Sequence, residues 1–143
     1  MTNQEKFQGF KQKMIDDNEK KYGKEIRGKY GDDSVDEFNK KIADMTKDQL
    51  AEAERLSAEL AEVLAAACQT GDPAGALAQR AADIHRRWLG CYMDAYSKEL
   101  HAGLAQMYVD DERFTAYYEK IRPGSAKFLR DAILIYTGNA PSV

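Results

Sequence analysis

The 143-residue chain has no apolar run of about 18 residues, so it offers no membrane-spanning segment. Its N-terminus is polar and lacks the apolar stretch of a secretory leader, and the expectation is a cytoplasmic chain. Cysteine is scarce: Cys68 and Cys91 are too few for a disulfide scaffold. The two histidines, His85 and His101, fall in no paired spacing such as HExxH that would grip a metal ion. There is no glycine-rich phosphate loop and no nucleophile elbow. The net charge is −3 with no basic block, so the electrostatic footprint of a nucleic-acid binder is missing. These absences point away from catalysis, metal binding, membrane insertion and direct contact with nucleic acid.

What is present is helical periodicity. Hydrophobic residues make up 43% and charged residues 31%, the balance of a globular domain, and 143 residues suffice for one conventional core. Phe7, Phe10 and Met14 predict one apolar stripe on a charged first helix. Gly23 and Gly31 punctuate the next stretch of chain. Ser34 to Glu37 and Thr46 to Gln49 each have the spacing of a capping box, in which a hydroxyl and a carboxylate or amide satisfy free backbone groups at a helix start. Val35, Phe38, Ile42 and Met45 continue one helix, and Leu56, Leu60, Val63, Leu64 and Ala67 form the buried face of a long one. Asp72 and Pro73 restart the chain after Gly71. Leu77, Ala81, Ile84 and Trp88 keep the 3.6 period, and Gly90 closes or bends that helix. Leu100, Leu104, Met107 and Tyr108 face inward on the next. Asp110 or Asp111 caps a short helix, Pro123 starts the last one, and Gly138 stops it. No period-2 strand pattern occurs. The expected class is all-α.

The aromatics are unevenly placed. Nine of the fourteen lie between Trp88 and Tyr136, while the first ~50 residues are rich in charge and gain less from burial. The expectation is one domain over residues 1–143, with a well-packed helical core at 46–138 and looser, partly mobile helices at 1–45. Trp88, Tyr92 and Tyr96 recur every four residues, followed by Tyr108, Phe114, Tyr117 and Tyr118. An aromatic stripe is commonly just core. So many tyrosines, whose hydroxyls need partners, favour a partly open, hydrogen-bonding cavity for a bulky ligand of mixed polarity. Acids around it, Asp94, Glu99, Asp110, Asp111 and Glu112, would favour cationic or hydrogen-bond-donating ligands where they do not simply cap helices. Cys68, on an alanine-rich helix face, reads as a small buried hydrophobe, and Cys91 reads as inert although Arg86 and Arg87 could lower its pKa. A haem- or cofactor-binding globin-like protein stays open as an alternative, because axial ligation needs only one histidine.

Several segments together resemble the TipAS-like antibiotic-recognition domain, the effector-binding part of a group of MerR-type transcription activators. They are Asp83-Ile-His85, Glu99-Leu-His101, Leu104, Met107 to Thr115, Pro123-Gly124 and Arg130 to Ile133, with Lys29-Tyr-Gly31 upstream. The resemblance covers nearly the whole chain. It implies a globin-like helical fold without haem, no cofactor, and a cleft for large peptidic or polyaromatic antibiotics, with Trp88, Tyr92, Tyr96, His101, Tyr108, Phe114 and Tyr117 as the ligand-binding candidates. In the activators such capture is coupled to a DNA-binding domain and a dimerising helix. Neither is read in this chain, which is expected to be a fragment of a longer regulator or a standalone sequestering protein. It would be a monomer alone and a dimer within a full-length regulator. Some relatives carry a cysteine that reacts with thiopeptides two residues after the histidine of the His-x-x-Leu segment. That position is Gly103 here, so the implied binding is noncovalent.

Overall fold

A computed structural model describes residues 2–94 and 96–139, apart from the side chain of Glu25. Among these residues there are eight α-helices, one π-helical turn and no strand, which is the all-α class the periodicity predicts. The chain clusters into two compact units, residues 1–52 with 91–93, and residues 53–90 with 94–143. No helix among the described residues is long and apolar enough to cross a membrane.

In the first unit, α1 (Asn3–Asn18), a π-helical turn (Glu19–Gly23) and α2 (Lys24–Tyr30) run on from one another without a break in helical backbone. Gly23 therefore does not punctuate the chain as expected. It is buried within the π turn, and its missing side chain leaves room for the Glu19 carboxylate, which a Cβ at Gly23 would meet. Glu19 uses that position to accept from two of the three Arg27 guanidinium nitrogens, Nε and Nη2, and from the Asn39 amide. The Arg27 pair holds the Glu19 carboxyl below the usual range despite desolvation. The true break is Gly31, at φ 89° and ψ 157°, a conformation only glycine adopts without strain.

The first-helix stripe is also turned by one position. Phe10 is 51% exposed, whereas Lys11 and Ile15 are the buried residues of α1. The reason is electrostatic. The Lys11 ammonium, only 2% exposed, donates to the Ala43 and Met45 carbonyls at 2.6 and 2.8 Å. These lie at the C-terminal end of α3 (Asp32–Asp44), where unpaired carbonyls and the helix dipole favour a cation. Gly31 is the N-cap of α3, so the Ser34 capping box does not form; α3 has already begun at Asp32. Val35, Ile42 and Met45 are buried as the spacing predicts.

Helix α4 (Lys47–Thr70) opens with the second capping box intact. Thr46 N donates to Gln49 Oε1 at 2.9 Å, and Gln49 N donates to Thr46 Oγ1 at 3.1 Å. Leu56, Leu60, Val63, Leu64 and Ala67 are all buried. Gly71, at φ 68°, ends the helix.

In the second unit, Asp72 accepts from Ala74 N at 3.0 Å, and α5 (Ala76–Tyr92) begins three residues after Pro73 rather than at it. The helix runs through Gly90. Its buried face is Ala78, Ala81, Ala82, Ile84, His85 and Leu89, with Leu77 exposed and Trp88 half-buried. Ala81 and Ile84 are buried as the spacing predicts, whereas Leu77 and Trp88 give way to Ala78 and Leu89 one position on, because at Ala78 a small side chain takes the close contact. Ala67, Ala78 and Ala132 form one such contact, with Phe128 packed against it. Helix α6 (Lys98–Asp110) is capped by Ser97 and packs mainly on α8 (Ser125–Tyr136). Between them, α7 (Glu112–Glu119) is capped by Asp111, whose carboxylate accepts from Arg113 N at 2.9 Å. Gly124, at φ 90°, rather than Pro123, is the residue from which α8 starts. Gly138, at φ 77°, lies just past its end.

Candidate functional site

Four side chains of the second unit form a continuous buried hydrogen-bonded chain. Tyr96 Oη lies 2.8 Å from His101 Nδ1, His101 Nε2 lies 2.8 Å from His85 Nδ1, and His85 Nε2 lies 3.0 Å from Tyr108 Oη. His85 and His101 are 0% exposed and Tyr108 is 4% exposed. The two imidazoles are almost coplanar, 4° apart, as an in-plane N–H···N bond requires. Helix spacing builds the arrangement. His101 and Tyr108 sit seven residues apart on the inward face of α6, and His85 on α5 bridges them.

Aromatic packing encloses this chain. Trp88 lies 5.5 Å from His85, Tyr136 lies edge-on to His101 at 6.0 Å, and Tyr108 packs on Phe114 at 5.5 Å and on Tyr118 at 4.7 Å. The Tyr108 carbonyl accepts from Thr115 Oγ1 at 2.7 Å, joining α6 to α7. At the Tyr96 end, the Arg86 guanidinium lies 4.5 Å over the phenol ring. Tyr136 Oη donates to Asp83 at 2.8 Å and accepts from Arg86 at 3.4 Å.

The electrostatics keep both histidines neutral. Burial, and then the neighbouring His101, hold His85 well below its ordinary pKa. Burial, and then the Arg86 charge, lower His101 from 6.5 to about 4. Burial raises the Tyr96 phenol despite Arg86. Every ring nitrogen of the pair has a partner within the chain, so neither histidine offers a free lone pair as an axial ligand; haem does not fit these residues. Among the described residues no cluster of three or more His, Cys, Asp or Glu could hold a metal ion. Cys91 is half-buried, and burial with the Glu52 charge raises its thiol, outweighing Lys41. Arg86 and Arg87 do not lower it, and the raised thiol agrees with the inert reading of Cys91 and disfavours a thiolate nucleophile. Cys68 Sγ lies 3.7 Å from Ser125 Oγ.

Of the residues singled out by sequence, Tyr96, His101 and Tyr108 are brought together. Trp88 and Phe114 flank their chain. Tyr117 is 53% exposed and touches Tyr118 edge-on at 5.0 Å. Tyr92 belongs to the first unit, where it is buried and stacks on Phe38 at 5.4 Å. His85, the link between the others, has no place in the sequence-based set. Its signal is the alanine pattern at 78, 81 and 82, which puts position 85 on the buried face. An open pocket of about 560 Å³ lies in the first unit, lined by Phe7, Gln8, Lys11, Met45 and Lys47 among others; none of the predicted aromatics lines it. Lys11 there is already engaged in capping α3.

Three of the four side chains, His85, His101 and Tyr108, lie in segments carrying the family resemblance, and residues 22–136 match the TipAS antibiotic-recognition domain. The chain belongs to the TipAS family. Over 136 residues it is 33% identical to the HTH-type transcriptional activator TipA of Streptomyces coelicolor and, equally, to that of Streptomyces lividans, covering 94% of this chain and 52% of each relative. It is 29% identical to the HTH-type transcriptional activator mta of Bacillus subtilis, covering 95% of this chain and 52% of that protein. This TipAS chain therefore spans about half the length of the curated relatives it matches. No solved structure gives a significant match.

Proposed function

We infer that this chain is a noncatalytic receptor for bulky peptidic or polyaromatic antibiotics, acting in the cytoplasm as the effector-sensing part of a MerR-type activator or as a standalone sequestering protein. The observation that carries this reading is the TipAS match over residues 22–136, together with relatives that are transcriptional activators. A globin-like arrangement without haem belongs to the same reading. Half-buried Trp88, Tyr96 and Phe114 and exposed Tyr117 supply ligand contact, each an apolar body with or without a polar tip. Buried His101 and Tyr108 act from behind Tyr96. Capture is reversible, because Gly103 stands at the reactive-cysteine position and the Cys91 thiol is raised by burial. The helices before Thr46 are loosely held when no ligand is bound and order on capture.

A thermal-shift screen against chemically diverse antibiotics tests this. A ligand at ~100 times its dissociation constant stabilises the protein by ~2.7 kcal/mol. The same ligand quenches Trp88 fluorescence and increases amide protection before residue 46. A broad panel that shifts neither melting nor fluorescence rejects the reading.

A further inference from the structure

We propose that Tyr96, His101, His85 and Tyr108 form a two-state tautomer relay that ties the half-buried Tyr96 hydroxyl to the α6–α7 junction. Each neutral imidazole carries one N–H and one bare nitrogen. The contact between His101 Nε2 and His85 Nδ1, at 2.8 Å, admits one proton. If His101 Nε2 donates, His101 Nδ1 is bare and accepts from Tyr96. His85 Nδ1 is then the acceptor, so His85 Nε2 carries the proton and donates to Tyr108. Both histidines are Nε2–H, and the chain runs inward. If His85 Nδ1 donates instead, Tyr108 donates to His85 Nε2, and His101 Nδ1–H donates to Tyr96. Both histidines are Nδ1–H, and the chain runs outward.

Mixed states place two protons or two lone pairs face to face in a buried site, each at the cost of an unmade hydrogen bond. The three bonds therefore reverse together. Protons balance in the reversal from inward to outward. Tyr96 passes its proton to His101 Nδ1, His101 Nε2 passes one to His85 Nδ1, and His85 Nε2 passes one to Tyr108. Tyr96 takes one proton from solvent and Tyr108 gives one up, so every imidazole and every phenol keeps one. In the outward state the Tyr96 O–H is free to donate, and in the inward state it is committed to His101. With this chain as an antibiotic receptor, the reading on which this step rests, a ligand carbonyl at Tyr96 favours the outward state and a ligand N–H favours the inward one. The selected state fixes whether Tyr108 donates to His85 or accepts from it. Tyr108 packs against Phe114 and Tyr118, and its carbonyl is held by Thr115, so the far end of the relay lies at α7.

The test needs no ligand, so its failure is separable from failure of the receptor reading. Long-range 1H–15N spectra of the labelled wild-type chain at pH 7 report the tautomer of each histidine. The two must show the same tautomer, or the same population ratio; one Nε2–H beside one Nδ1–H overturns the proposal. Two variants then pin the chain in opposite directions, because a buried orphaned N–H is less tolerated than an orphaned acceptor. Tyr96→Phe leaves His101 Nδ1 without a partner and favours Nε2–H at both rings. Tyr108→Phe leaves His85 Nε2 without a partner and favours Nδ1–H at both. The ratio at His101 is expected to differ about tenfold between the two variants, although Tyr108 does not touch His101 Nδ1. A ratio at His101 that is the same in both variants overturns the relay.

Discussion

At the scale of single residues, one substitution made at two tyrosines separates a satisfied hydroxyl from an orphaned one. Tyr108 Oη is bonded to His85 in the buried chain, so Tyr108→Phe removes a partner that His85 Nε2 needs. Its expected cost is about 1–3 kcal/mol, the range for leaving a buried polar group unpaired. Tyr30 Oη in the first unit is buried and has no hydrogen-bond partner among the described residues, and burial raises its pKa. Tyr30→Phe removes a desolvated hydroxyl that gains nothing in return, and is expected to stabilise by roughly 1 kcal/mol. Urea denaturation of the two variants checks the pair. Equal effects of the same sign would show that hydroxyl pairing does not decide stability at these sites.

At the scale of elements, Gly31 separates α2 from α3 with a backbone conformation closed to other residues, although open space surrounds it. Gly31→Ala should therefore destabilise by about 1–3 kcal/mol through backbone strain alone, with no clash to relieve. Amide exchange in α2 and α3 locates the effect, and unchanged exchange there contradicts it. Gly31 is legible in the sequence as a break. So are the Thr46–Gln49 box and the buried face of α4, because each rests on contacts within a few residues. Gly23, Phe10 and Leu77 depart from their expected places for one reason: a distant partner decides their positions. Arg27 and Asn39 fold Glu19 over Gly23, the α3 carbonyls draw Lys11 inward in place of Phe10, and alanine contacts turn α5 away from Leu77. The candidate site obeys the same rule. The aromatic spacing leads to Tyr96 and Tyr108, but nothing local announces that two histidines sixteen residues apart will bond.

At the scale of the whole molecule, the two units should respond to acid in different windows. His85 and His101 both titrate below their ordinary value, so the unfolded chain binds protons more readily than the folded one between pH 6.5 and about 4. Their contribution is complete above pH 6.5 and is lost as pH falls through that window. For His101 alone the shift from 6.5 to about 4 corresponds to roughly 3 kcal/mol, at 1.36 kcal/mol per unit. The first unit contains no histidine, and its shifted carboxyl, Glu19, is lowered from 4.5, so that contribution is present above pH 4.5 and lost only below it. Acidification from pH 7 to 5 should therefore weaken amide protection around the histidine chain in α5 and α6 before it reaches the Glu19–Arg27 contact. Replacing both histidines with glutamine, which keeps hydrogen-bonding capacity but does not titrate, should flatten the stability of the second unit over that range. A wild-type protein whose stability is constant from pH 7 to 5, or a double variant that retains the full slope, would exclude the buried histidine pair as the source.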